Sequence, residues 1–251
     1  PWMAITGNSL NVPNLFVAER LFRDSDFDIT TDGSGNKSYA LKKDVPNQNY
    51  FSPAIRPGDI KYKDLNGDGM INQFDQARNM GHPTTPEITF GFGAGYEYKG
   101  FSINLFFTGI ANTTAILGSG NEQMFFPFQW GVDESSMRDI VRSRWQEGKG
   151  DNQEVLFPRI RTVGFTNNSV ASTWWQRDAS FIRLKNAELG YTFPKTILQK
   201  LKMSGGRVYL LGYNLLTWDK IKYWDPEQGN SNAGLAYPQS RTFTLGAEIT
   251  F

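Results

Sequence analysis

Residues 64–75 read Asp-Leu-Asn-Gly-Asp-Gly-Met-Ile-Asn-Gln-Phe-Asp. Oxygen-bearing side chains occupy the first, third and fifth places (Asp64, Asn66, Asp68), and Gly69 at the sixth allows a sharp turn. The Met70 carbonyl is available at the seventh. That is the order in which a calcium loop presents hard oxygen ligands. Asp75 stands at the twelfth place, where a longer glutamate is usual, so its carboxylate would reach the ion from one side or through water. The alternative is a metal-free turn rich in Asx hydrogen bonds. With no companion loop to pair with, a bound calcium would act as a structural staple and not as a switch.

Little else in the chain suggests chemistry. There is no Cys, which removes disulfides, thiol catalysis and Cys-based zinc sites. His82 is the only histidine and lies in a Gly-His-Pro turn, where a solvated side chain is the default. Asp133 and Glu134 precede a helical pattern over residues 135–146 (Met137, Ile140, Val141, Arg144) and read as its acidic start. No catalytic residue is assigned, and the chain reads as a protein that is not an enzyme. Loop aromatics are the remaining candidates: Phe125, Phe126, Phe128 and Trp130, the pair Trp174 and Trp175, and Trp218 with Trp224. Such rings can stack on sugars or receive a partner's surface. The plainer reading, preferred for any one of them, is that they pack loops together or sit in an interfacial belt.

The elements that would position these residues are strands. The 251 residues are 39% hydrophobic and 14% aromatic, yet mean hydropathy is −0.46. Many aromatics in a polar chain fit strands that alternate apolar and polar residues. From 87 to 98 the even positions (Ile88, Phe90, Phe92, Ala94, Tyr96, Tyr98) oppose a glycine-, threonine- and glutamate-bearing odd set. Lys99-Gly100 then turns the chain into a second strand with Phe101, Ile103, Leu105 and Phe107 on one face, a hairpin. Three more strands follow over 181–193, 207–218 and 241–251. Residues 1–60 read as loop, with apolar density only at 14–22, a possible sixth strand. Net charge is +1, which gives no electrostatic case for nucleic acid.

The polar faces are Thr, Gly, Ser, Asn and an occasional Glu. Strands of about 9–11 residues with an apolar outer and a polar inner face describe a membrane barrel. Tyr96, Tyr98, Phe101, Tyr191, Phe193, Tyr209 and Phe251 gather at one end as an aromatic girdle. That end has the shorter connectors (99–100, 194–206), and the opposite end the longer ones (111–180, 219–240), as outer-membrane barrels do. Five strands, or six, do not close around a wide lumen, and an open sheet in lipid leaves backbone groups unpaired. The chain therefore reads as part of a larger barrel. Arg183 and Lys185 share parity with the apolar set Ala187, Leu189, Tyr191. Either both lie above the hydrocarbon band, the preferred explanation, or a bulge between Lys185 and Ala187 switches the face.

Several stretches carry a resemblance: 56–71 (Arg-Pro-Gly-Asp-Ile-Lys-Tyr-Lys-Asp-Leu-Asn-Gly-Asp-Gly-Met-Ile), 98–101, Arg144-Trp145 with Phe157-Pro-Arg159, 174–186, 189–194, 214–217, 223–227, and 237–246 with the terminal Phe251. Over residues 56–251 the chain resembles the C-terminal part of the SusC/RagA family of TonB-dependent outer-membrane transporters. The resemblance implies an all-β fold, the C-terminal strands of an antiparallel transmembrane barrel of about 22 strands when complete. It also implies long extracellular loops, chiefly 111–180, and a plug domain absent from this chain. The family works with TonB and a SusD-like surface lipoprotein in the bacterial outer membrane and imports oligosaccharides or peptides. Two other readings compete. A soluble, calcium-stapled β-module that binds glycans through Trp174 or Trp218 leaves the continuous apolar band unexplained. An outer-membrane hydrolase would need a convergent His or carboxylate set, and only His82 is present.

Overall fold

The computed structural model describes residues 2–52, 54–78, 80–118, 125–128, 139–161, 166–229 and 234–251. The chain folds as two compact units. One gathers Pro1–Thr84, Ala115–Arg177 and Gln228–Ala236; the other gathers Thr85–Thr114, Asp178–Glu227 and Tyr237–Phe251.

The second unit holds the alternating segments. Ile88–Tyr98, Phe101–Ala111, Phe181–Thr192, Gly205–Asp219 and Thr242–Thr250 form one antiparallel five-stranded sheet, each strand beside the next in the chain. The first two are 11 residues each, the length a tilted strand needs to cross a bilayer's hydrocarbon core. Their turn places Lys99 at φ 48° and Gly100 at φ 88°, the left-handed pair that suits a two-residue hairpin. Glycine is needed at 100 for a second reason: a Cβ there would lie 2.7 Å from the Thr192 carbonyl oxygen, and Gly100 O accepts the Thr192 N–H at 2.8 Å.

Register fixes the faces. Phe92 pairs with Phe107, and the rings stack at 4.9 Å. The row then runs through Leu184 to Leu216, and a second row joins Tyr98, Phe101, Tyr191 and Val208 at the girdled end. Phe243, Leu245, Ala247 and Ile249 continue the apolar face on the last strand. Its large side chains are solvent-facing in the chain as it stands, Leu245 by 82% and Tyr96 by 65%. An apolar surface this continuous is what lipid covers.

Two expectations about facing are corrected. Pairing shifts between Leu184 and Asn186 against both neighbours, so the strand carries a bulge at Lys185. Arg183 pairs with Thr108 and therefore belongs to the polar face, whereas Ala187 pairs with Leu105 on the apolar one. The bulge explanation replaces the preferred one. On the fourth strand, Val208 and Leu210 are the apolar-face residues; Tyr209, opposite Gly190, lies on the polar face and leaves the girdle. The connector 194–206 holds a short helix, Lys195–Lys200, that buries Leu198.

The first unit is made of short pieces. Leu15–Phe16 pairs with Gln76–Ala77, Ala18–Leu21 with Ile60–Tyr62, and Phe27–Thr31 with Lys37–Leu41. Residues 14–22 are thus not a sixth wall strand: Leu15 and Phe16 are buried and their partners belong to this unit. The segment read as loop also holds a hairpin, whose tip is closed by Asp32 accepting N–H bonds from Ser34 and Asn36. Phe22, Phe27 and Ile55 pack beneath it. Of the helix expected over 135–146, residues 135–138, with Asp133 and Glu134 before them, lie outside the described residues. Asp139–Arg142 is one 3-10 turn. Beyond it backbone pairing wins: Trp145 N–H donates to Phe157 O, and Ser143 O accepts from Leu156 and Phe157.

Candidate functional site

In the loop at 64–75, Asp64, Asn66 and Asp68 close on the loop's own amides, all backbone except the Asn66 Nδ2 that donates to Asp68 Oδ2 at 2.9 Å. Asp64 accepts from Gly67 and Gly69 N–H at 2.7 and 2.8 Å, Asn66 from Asp68 at 2.9 Å, and Asp68 from Met70 at 2.8 Å. Gly67 and Gly69 adopt φ 75° and 80°, which lets the chain coil this tightly. Asp75 is fully buried, and its carboxylate takes the N–H of Leu65, Asn66 and Asn72. Among the described residues no three His, Cys, Asp or Glu side chains gather as a metal cluster. The donor set still fits a hard cation of mixed ligation, because the side-chain oxygens of Asp64, Asn66 and Asp68 each spend one lone pair on an amide and keep another. Asp64, Asn66, Asp68 and the Met70 carbonyl would hold the ion, with Asp75 clamping both ends of the loop. The loop is stitched to residue 47, where Asn47 N–H donates to Gly69 O and Ile71 N–H to Asn47 O.

Next to it in sequence is a buried polar lock that the sequence did not reveal. Asp59, with no exposed surface, accepts Arg159 Nη2 at 2.8 Å and Nε at 3.1 Å, Asn168 Nδ2 at 2.9 Å and Arg56 N–H at 2.9 Å. Burial pushes the Asp59 carboxyl above the usual range against the pull of Arg159 and Asn168. Gln48 and Asn167 complete the lock on the backbone of Ile60 and Tyr62, and Tyr62 Oη donates to Asn167 O at 2.7 Å. Gly58, at φ 86°, lies flat under Trp145; a Cβ there would sit 2.3 Å from the indole. Gln48, Asn167 and Asn168 are buried with Asp59, and no sequence spacing marks them as partners.

The sheet's polar face forms the second cluster. Arg207 is ion-paired with Glu188, approaches Ser102 Oγ at 3.4 Å and stands 5.4 Å from the Tyr209 ring. Asn104 donates to Glu188 at 3.4 Å. With Glu97 and Lys99, the side chains of Arg207, Glu188, Ser102 and Asn104 line a polar hollow of ≈ 650 Å³ at the girdled end. Toward the other end, Arg183 is 1% exposed and bonded to Asp225 at 2.6 Å, with Glu227 at 3.3 Å. This face therefore carries paired charges, as the interior of a wall around an aqueous passage does.

The aromatic candidates separate. Trp175 has no exposed surface: it is ringed by Phe125, Phe126 and Phe157, and Nε1 donates to Asn168 O at 2.9 Å. It is a packing residue, which corrects its place among the binding candidates. Trp218, 54% exposed, lies on the sheet's apolar face and faces no substrate passage. Trp174 is half-buried, Nε1 donating to Leu156 O; Phe128 is half-buried at φ 59°, and Trp224 is half-buried 6.4 Å from Tyr223. Trp130 lies outside the described residues.

An antiparallel sheet of membrane-crossing strands, apolar outside and charge-paired inside, is a portion of the wall of an outer-membrane-type β-barrel. The comparisons agree. No family model matches the chain. TonB-dependent receptor P3 of Formosa agariphila is 34% identical over 213 residues, covering 78% of this chain and 19% of the relative. TonB-dependent receptor SusC of Bacteroides thetaiotaomicron is 24% identical over 217 residues, 85% of this chain and 20% of the relative. The solved structure of the RagAB peptide transporter matches with a TM-score of 0.60 at 28% identity, over 77% of this chain and 21% of that chain. A RagAB importer in an open-open state shares the fold at a TM-score of 0.58. Over most of its own length the chain is similar to TonB-dependent receptors, SusC among them, and its homologues are receptors and not enzymes. It spans about a fifth of the length of the curated relatives it matches.

Proposed function

We propose that this chain supplies C-terminal wall strands and surface loops to a TonB-driven importer in the bacterial outer membrane. The importer takes up oligosaccharides or peptides together with a SusD-like surface lipoprotein. The observation that carries this reading is the two-faced sheet: lipid-compatible residues on one side, and Arg207–Glu188 and Arg183–Asp225 pairs on the other. Likeness to the RagAB peptide transporter supports peptides as one cargo class. TonB would act through the plug, outside this chain. Trp174, Phe128, Trp130 and Trp224 are the aromatic candidates for cargo or lipoprotein contact.

Calcium in the 64–75 loop would be structural. It would replace part of the amide-only closure around Asp64, Asn66 and Asp68 and hold the loop where Asn47 stitches it. No step of import is routed through it.

Extraction of the native receptor tests the reading. Recovery only in detergent, with a surface lipoprotein co-purifying, is the expected result. Release into plain buffer without a partner would replace it with a soluble calcium-stapled module.

A further inference from the structure

The first unit carries a hollow lined chiefly by Trp145, Arg56, Arg159, Asp24, Glu147 and Asp151, with a volume of ≈ 320 Å³. Its walls are set in place by contacts outside the hollow. Trp145 is half-buried, and one face of the indole rests on Gly58, where a Cβ would sit 2.3, 2.5 and 2.7 Å from three adjoining ring carbons. The face turned away from Gly58 is the one the hollow can use. Arg159 is held by Asp59 at 2.8 and 3.1 Å, and the Arg56 guanidinium lies over the Tyr39 ring at 5.5 Å.

The turn that bears Glu147 and Asp151 is held from behind by Gln153. Its Nε2 donates to Gln146 O at 2.8 Å and Gly150 O at 2.9 Å, and its Oε1 accepts the Gln146 N–H at 2.9 Å. Gly148 and Gly150, at φ 78° and 81°, coil the turn and add no side chain to the lining.

The lining thus offers an aromatic face, guanidinium donors and carboxylate acceptors, all pre-positioned. Charge is close to balance. Lys37 stands 3.8 Å from Glu147, and Asp59 offsets Arg159. An anion would meet Asp24, Glu147 and Asp151, and a cation would meet Arg56 and Arg159. A neutral polyol meets neither penalty: its hydroxyls donate to the carboxylates and accept from the guanidiniums, while the C–H face of its ring stacks on the indole. The volume is at the lower end of the roughly 300–1,000 Å³ of small-ligand sites, room for about two sugar rings at most.

We propose that this hollow is a subsite for a neutral glycan, with Trp145 under a sugar ring and Arg56, Asp24 and Asp151 bonded to its hydroxyls. The inference rests on reading the chain as part of an importer, and it names oligosaccharide as the cargo. The unit joins the sheet through residues 85–87 and 112–114, beside Ile88 and Ala111, at the end opposite the Lys99–Gly100 turn. In that reading this is the outer end, where cargo arrives.

The test is hydrogen exchange, read peptide by peptide, on the complete receptor extracted in mild detergent with any lipoprotein that accompanies it. The probes are neutral hexasaccharides of glucan, mannan, galactan, xylan and fructan type, with a casein digest as the peptide control. Slower exchange over residues 144–153 with at least one hexasaccharide, and not with the digest, is expected. The glycan concentration at half-effect should rise about tenfold in Trp145→Ala, the weight of one aromatic contact. Asp151→Ala, on the exposed turn, removes an acceptor without disturbing a packed residue and should weaken binding as well. Each variant must keep the wild-type shift in gel migration on heating, the sign of a folded barrel. A receptor that comes off the membrane only in detergent yet shows no glycan-dependent protection there, shows it with the digest, or keeps it unchanged in both variants overturns the glycan site alone. A receptor recovered without detergent overturns the importer reading as well.

Discussion

Arg183 and Asp225 lie 2.6 Å apart across 42 positions of sequence, with the arginine almost wholly removed from solvent. The pair ties the connector after the fourth strand to the polar face of the third, and Glu227 and Lys185 extend it at 3.3 Å. A charge held this far from water depends on its counter-charge.

Asp225→Asn or Arg183→Met should therefore destabilise the folded receptor by about 3–5 kcal/mol, the cost of leaving one buried charge alone. The double change Arg183→Met with Asp225→Leu should recover much of the loss. Thermal unfolding in detergent reads both, and equal stability of single and double variants would contradict the pairing.

Tyr209 lies directly over Gly246, where an added Cβ would sit 2.3 Å from the ring's Cζ. Gly246→Ala should displace the ring and cost about 1–3 kcal/mol, as overpacking does. Combined with Tyr209→Leu, the same alanine should be tolerated. The melting temperatures of the three variants decide the matter.

For the loop at 64–75, calcium should raise the melting temperature and chelator should lower it. At an ion concentration a hundred times the dissociation constant the gain is about 2.7 kcal/mol. Asp64→Ala and Asp68→Ala should abolish the response. A wild-type protein indifferent to both calcium and chelator would leave the loop as a metal-free Asx turn.

Acid should loosen the first unit through Asp26. Burial alone would raise its carboxyl, but the Arg20 guanidinium at 2.6 and 2.8 Å, the Arg23 N–H and Lys61 outweigh it and hold it below the usual range. With a lowered folded value, the stabilisation is complete above the unfolded carboxyl's titration near pH 4 and is lost as pH falls through the folded value. Arg20→Met should flatten that dependence in melts taken from neutral pH downward.

The strands were legible because period-two alternation is strict where one face meets lipid and the other water. Ile88–Tyr98 and Thr242–Thr250 follow it almost to the residue. It failed where both faces hold large side chains: Tyr209, Leu211 and Tyr213 outweighed Val208 and Leu210 by size, although register puts the smaller pair outside. Lys185 misled for another reason. A bulge adds one residue to one strand, and a parity count cannot see it. In the first unit, strands as short as Leu15–Phe16 leave no period to read. The calcium-type loop was legible from spacing alone, whereas the Asp59–Arg159 bond joins positions 100 apart and has no local signature.

Thr242–Thr250 has a paired neighbour on one side only among the described residues, and so has Ile88–Tyr98 at the opposite margin of the sheet. Such a margin is a template on which a further strand can form. In water the same sheet, made without its flanking strands, would recruit copies of itself and polymerise edge to edge.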